Sequence, residues 1–138
     1  MMNGMWGRAL ILLGIGLLAA APASTQERKR PNALSALQPG RWELRDLDNL
    51  RAPPRSICVA DPQILLQVEH RGSPCSRLVV ASDARSATVH YTCPADGYGR
   101  TTVRVVSPRS AKIDTQGIND NMPFAYRAEA RRAGSCRR

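Results

Sequence analysis

The chain is poor in the residues that usually announce chemistry. It has two histidines, one phenylalanine and 4% aromatic side chains in 138 residues. So few histidines leave little material for a histidine-rich metal site or a marked general base, which needs a positioned partner. No C-x-x-C pair occurs, no C-x₂₋₄-C spacing and no C-x-x-C-H, so sequence signatures of dithiol redox, structural zinc and covalent haem are absent. No G-x-S-x-G elbow marks a nucleophilic serine. The one glycine cluster, Asp96-Gly97-Tyr98-Gly99, lacks the strand–helix setting of a phosphate loop and reads as a β-turn. No internal repeat or low-complexity segment occurs. The longest apolar run falls short of the about 20 residues that cross a bilayer. Neither a catalytic residue, a cofactor nor a metal is expected.

What is present begins with an address. Residues 1–8 carry one charge, Arg8, and residues 9–21 carry none. Ala21-Pro22-Ala23 then offers small residues at the two positions that a signal peptidase reads. This is the order of a cleavable secretory leader, with cleavage expected after Ala23. No transmembrane span is expected to remain. Removing residues 1–23 leaves 115 of the 138 residues, enough for one domain with a modest core.

Export gives the cysteines a meaning. Cys58, Cys75, Cys93 and Cys136 all follow the leader, and an even number in a small exported domain reads as two disulfides with three possible connectivities. Charge is the second clear feature. The chain has 20 basic and 11 acidic residues and a net charge of +9, which becomes +8 when Arg8 leaves with the leader. Only Lys29 and Lys112 are lysine. Arginine suits anionic partners, because its planar fork grips carboxylate and phosphate in two places. An exported chain normally meets no nucleic acid, so an anionic envelope component is the expected kind of charged partner. The competing reading is a solvated basic surface.

Residues 24–38 are polar, charged and interrupted by Pro31, and read as a flexible linker. A single β-rich domain is expected over 39–136. Arg41-Trp42-Glu43-Leu44-Arg45 alternates with the period of a half-buried strand, Trp42 and Leu44 facing inward. Ser56–Val59 forms a second strand. Asp61 caps and Pro62 opens a short α-helix over 61–72. From Pro74 on, strands are expected at 76–82, 86–93, 100–106, 111–117 and 123–132. Ser107-Pro108-Arg109-Ser110 and Asn119-Asp120-Asn121 provide turns. Strands so closely spaced pair as an antiparallel meander. The expected fold is therefore mainly β, a curved meander sheet approaching a half-barrel, with one short α-helix and two disulfides. A hairpin around Asp83-Ala84-Arg85 sets Ser82 opposite Ser86, Val79 opposite Val89 and Cys75 opposite Cys93. Opposed ladder residues have a separation suited to bridging. Cys58 then pairs with Cys136.

Several landmarks occur together: Pro39-Gly40-Arg41-Trp42-Glu43, Ile57-Cys58-Val59 before the helix, Cys75, a strand ending at Cys93, and Gly134-Ser135-Cys136. In this order they resemble the exported bacterial family known as domain of unknown function 3617, over residues 39–136. The resemblance implies a periplasmic, disulfide-bonded β domain and no particular activity. This chain departs from that family in carrying arginine and valine on the later strands.

Arg104, Arg127 and Arg131 alternate outward on nearby strands and form a candidate basic binding face. His70, at the helix end, and His90, facing away from Val89 and Tyr91, are the two histidines a catalytic reading would need. Asp114 and Asp120 could serve as paired carboxylates but suit strand edges and turns equally. Three functions follow. The first is non-enzymatic binding of an anionic or amphipathic envelope molecule in a concave pocket lined by Val103, Val105 and Tyr126. The second is an accessory subunit of a larger envelope protein, docked by an open edge or an exposed apolar patch. The third is a hydrolase with His70 or His90 beside a carboxylate in a cleft.

Overall fold

The alternating segments pair into one sheet in a computed structural model that describes residues 31–137. The leader and residues 24–30 lie outside the described residues. Seven strands form: β1 (Gly40–Asp46), β2 (Arg55–Val59), β3 (Ser76–Ser82), β4 (Ser86–Cys93), β5 (Gly97–Ser107), β6 (Ser110–Asn119) and β7 (Met122–Gly134). Strands β3 to β7 are a meander. β1 then pairs with β7, and β2 completes the order β2-β1-β7-β6-β5-β4-β3, with every pairing antiparallel. The sheet is curved and does not close.

Period-two patterning decides which face is wet. On β4, Ala87, Val89, Tyr91 and Cys93 are buried, whereas His90 and Thr92 are exposed. On β6, Ala111, Ile113 and Thr115 are buried, and Lys112, Asp114 and Gln116 are exposed. The turns use the residues their geometry demands. Asp120 and Asn121 have φ of 48° and 62°, the left-handed pair that a two-residue hairpin loop prefers. Asp83 Oδ1 accepts from the N–H groups of Arg85 and Ser86, closing the β3–β4 turn. The Asp96–Gly99 stretch is not itself the turn. Pro94, Ala95 and Asp96 turn the chain, with Ala95 at φ 68°, and β5 already begins at Gly97.

Both cysteine pairings form as expected, Cys75–Cys93 with Cα atoms 4.1 Å apart and Cys58–Cys136 with Cα atoms 5.5 Å apart. The hairpin register is as expected at Val79–Val89 and slips beyond it. A bulge between Val79 and Ala81 moves Ser82 from Ser86 to Ala87.

Two further expectations need correction. The short helix (η2, Pro62–His70) is present and capped by Asp61 onto Gln63 N–H, but it winds as 3₁₀ rather than α and breaks at Gln67. The segment is short and interrupted by the non-helical Gln67, and short pieces commonly wind as 3₁₀. The linker does not extend to Gln38. Asn32–Ala36 forms a 3₁₀ turn (η1), and Ala33, Leu34 and Leu37 join the core. Its polar neighbours masked an apolar face, Ala33-Leu34 and Leu37, spaced to meet the sheet. Gln38 N–H donates to the Pro108 carbonyl, and Trp42 Nε1–H donates to Gln38 O, which lashes this segment to the sheet. The folded unit therefore begins before residue 39.

Candidate functional site

The inward valines expected to line a pocket are covered. Val103 is wholly buried and Val105 nearly so, because η1 and η2 lie against β4 and β5. Tyr126 is half-buried, and its hydroxyl donates to Glu69 Oε1 while accepting from Arg55 Nη2 at 2.6 Å. Arg55 also pairs with Glu69 at 2.9 Å and lies over the Tyr126 ring. This cluster ties the start of β2, the end of η2 and β7 together. Burial, and then the hydrogen bond to Glu69, push the Tyr126 phenol well above its usual range.

His70 is buried as well. Its Nε2 lies 3.2 Å from the Asp96 main-chain carbonyl and its Nδ1 3.2 Å from the Tyr91 hydroxyl. A carbonyl only accepts, so Nε2 carries a proton toward Asp96, and Nδ1 shares a hydrogen bond with the Tyr91 hydroxyl. Burial, reinforced by the charge of Glu69, pushes the Tyr91 phenol up to about 12. Both ring nitrogens of His70 therefore have partners, and neither partner is a carboxylate. His90 stands exposed on the outer face, with Arg100 and Leu78 as its cross-strand neighbours. Among the described residues no hydrogen bond or ion pair joins either histidine to a carboxylate. Among the described residues no three of His, Cys, Asp and Glu gather as metal ligands would.

The candidate basic residues Arg104, Arg127 and Arg131 do share the outer face, all three exposed. They do not form an unopposed stripe. Arg127 grips Asp48 with its side chain at 2.6 and 3.1 Å, and its own N–H donates to Asp48 Oδ2. Those hydrogen bonds hold the Asp48 carboxyl below its usual range. Arg131 pairs with Glu129 at 2.8 Å and lowers that carboxyl. Arg104 lies opposite Lys112 and Ser86. Asp114 lies opposite Arg127, while Asp120 only makes the β6–β7 turn.

The surface that sequence reasoning did not place is the β3 edge. Leu78 is 67% exposed, Val79 36% and Val80 47%. β3 pairs with β4 alone, so its other side presents unpaired N–H and C=O groups. Between Arg77 and Asp83 this edge carries no charge and no proline, and its one protective device is the bulge at Val80. The opposite edge is guarded. Pro53 and Pro54 precede β2, Arg55 opens it, and the Cys58–Cys136 bridge straps the C-terminal segment to it. The sequence signal was Leu78-Val79-Val80, a non-alternating apolar run in a strand that buries nothing.

No protein-family model matches the chain, and neither a curated protein nor a solved structure matches it. The two disulfides are present, and no helix among the described residues is long and apolar enough to cross a membrane.

Proposed function

We infer that this is an exported periplasmic domain of the domain of unknown function 3617 type, cleaved after Ala23, that serves as an accessory subunit of a larger envelope protein. It takes an extended segment of that protein as an eighth strand beside β3. One observation carries the reading: the apolar, uncharged β3 edge is left open while the β2 edge is guarded. Strand addition supplies affinity through main-chain hydrogen bonds and specificity through alternate side chains, here against Leu78 and Val79. The alternative reading, a ligand held in the cup of the sheet, draws no support from Val103 and Val105, which are covered.

The test places a photo-crosslinking residue at Leu78 and, separately, at Ser56 on the β2 edge, in the native host. An adduct with one envelope protein at position 78, absent at position 56 and abolished by Val80→Lys in a folded variant, supports the reading. Equal capture at both edges, or none at position 78, refutes it.

A further inference from the structure

A second surface on the outer face stands independently of the β3 edge. A groove of about 340 Å³ runs across β4 to β7, lined by His90, Tyr98, Arg100, Gln116, Ile118 and Ala125 above a backbone floor at Gly99 and Gly117. Its geometry follows from register. His90 faces Arg100, Arg100 faces Gln116 and Gln116 faces Ala125, so these four form one row across four strands. Tyr98 faces Ile118 two residues further along, forming the second row. Rows two residues apart stand about 6.8 Å from each other, the width of a single ring on edge.

The floor is backbone because positions 99 and 117 face inward, in step with the buried Thr101 and Thr115. A Cβ on Gly117 would fall 2.1 Å from the Tyr98 carbonyl oxygen, and one on Gly99 would fall 2.4 Å from the Tyr91 hydroxyl. The Tyr91 and Phe124 rings occupy the inner side of this glycine pair, so the sheet is thin there and backed by aromatic packing.

The two walls differ in kind. One offers the Tyr98 ring, 56% exposed, and Ile118. The other offers a guanidinium, an imidazole and a carboxamide. Among the described residues Arg100 makes no ion pair. The nearest outward carboxylate in register, Asp114, stands one row away and directly opposite Arg127. The chain as a whole carries a net charge of +9. An anion is therefore drawn to this face and meets an unopposed fork.

We propose that this groove binds a carboxylate-bearing sugar ring of an acidic glycan. Arg100 donates paired N–H groups to the carboxylate. Gln116 and His90 serve the hydroxyls, each able to donate and accept. Tyr98 and Ile118 pack the C–H face of the ring, as an amphipathic aromatic wall does. Phe124 also reaches the lining, but a fatty chain would leave the Arg100 guanidinium without a partner, whereas an acidic sugar ring uses both walls.

The experiment titrates the isotope-labelled, disulfide-bonded protein with trigalacturonate, with maltotriose of the same length and with citrate, following amide shifts. The expected result is saturable shifts centred on residues 98–100 and 116–118 with trigalacturonate, and affinity for maltotriose and citrate lower by about tenfold or more. Arg100→Gln loses about tenfold or more in affinity, and Tyr98→Ala about three- to tenfold. Lys112→Gln, outside the groove on the same face, changes affinity by less than about twofold. All three side chains are exposed, so folding is checked by the unchanged amide pattern elsewhere. Equal affinity for citrate, shifts spread over residues 104 and 112, equal affinity for maltotriose, or no saturation would each overturn the assignment.

Discussion

Removing the Cys58–Cys136 bridge tests how this sheet is held together along its β2–β1–β7 side. The pair spans 78 residues of sequence, against 18 for Cys75–Cys93. In the chain-entropy account these loops correspond to about 4.5 and about 3.2 kcal/mol at 25 °C. Cys58 is exposed and Cys136 half-buried, so replacing both with serine removes little packing. The cost therefore acts through the unfolded chain, which becomes free to expand. A loss of about 4.5 kcal/mol is a large part of the about 5–15 kcal/mol that holds a small domain together. Urea unfolding of Cys58→Ser/Cys136→Ser should show a lower midpoint and a steeper slope, because more surface is exposed on unfolding. Hydrogen exchange separates this from local fraying. Global destabilisation speeds the most protected amides of β4, β5 and β6, whereas fraying speeds only β2 and β1. A loss below about 1 kcal/mol, or exchange confined to β2, would refute the unfolded-state account.

Two further outcomes follow from the interior. Leu34→Ala should cost about 2–5 kcal/mol in urea unfolding, because Leu34 is fully buried, whereas a residue in a mobile tether would cost under about 0.5 kcal/mol. The buried phenols make the domain sensitive to alkali. Tyr91 is pushed up to about 12 in the folded state, so its contribution is intact below the unfolded value of about 10 and lost as pH rises from there toward 12. Urea midpoints taken beside tyrosinate absorbance should fall together over that window, by on the order of 2–3 kcal/mol for Tyr91; tyrosinate forming with no loss of stability would sink this reasoning.

Where burial is one-sided, alternation in the sequence reported it faithfully. β1, β4, β6 and β7 each carry an apolar face and a polar face, and the expected inward residues Trp42, Leu44, Ala128 and Ala130 are buried. The β3–β4 register was readable as far as Val79–Val89 because both cysteines anchored it. It failed beyond that point because Leu78-Val79-Val80 has no period, and an edge strand exposed on both faces gives patterning nothing to record. The η1 segment was hidden by its neighbours: the charged run 27–30 and Pro31 precede it, while three apolar side chains decide where 33–37 go. The pairing of Arg127 with Asp48 was unreadable for another reason. Asp48 lies in the turn after β1, where Asp46 Oδ1 accepts from the N–H groups of Asp48 and Asn49, and the local sequence carries no sign that Leu47 N–H donates to the Arg127 carbonyl of β7.

Filling the inner face has a consequence for how the two outer surfaces relate. With η1 and η2 packed on the concave side, the β3 edge and the outer groove lie away from the core. The β3 edge and the groove meet there, because Leu78 stands opposite His90 in register and His90 heads the row through Arg100 and Gln116. A strand added beside β3 sets one of its outward side chains next to Leu78, in that same row. The groove wall is then one strand longer, and the added side chain faces whatever the groove holds. If that side chain is basic or hydrogen-bonding, ligand and partner strengthen one another; if it is acidic, each weakens the other. Either way the coupling is reciprocal, so a ligand that shifts partner affinity by a given factor has its own affinity shifted by the same factor.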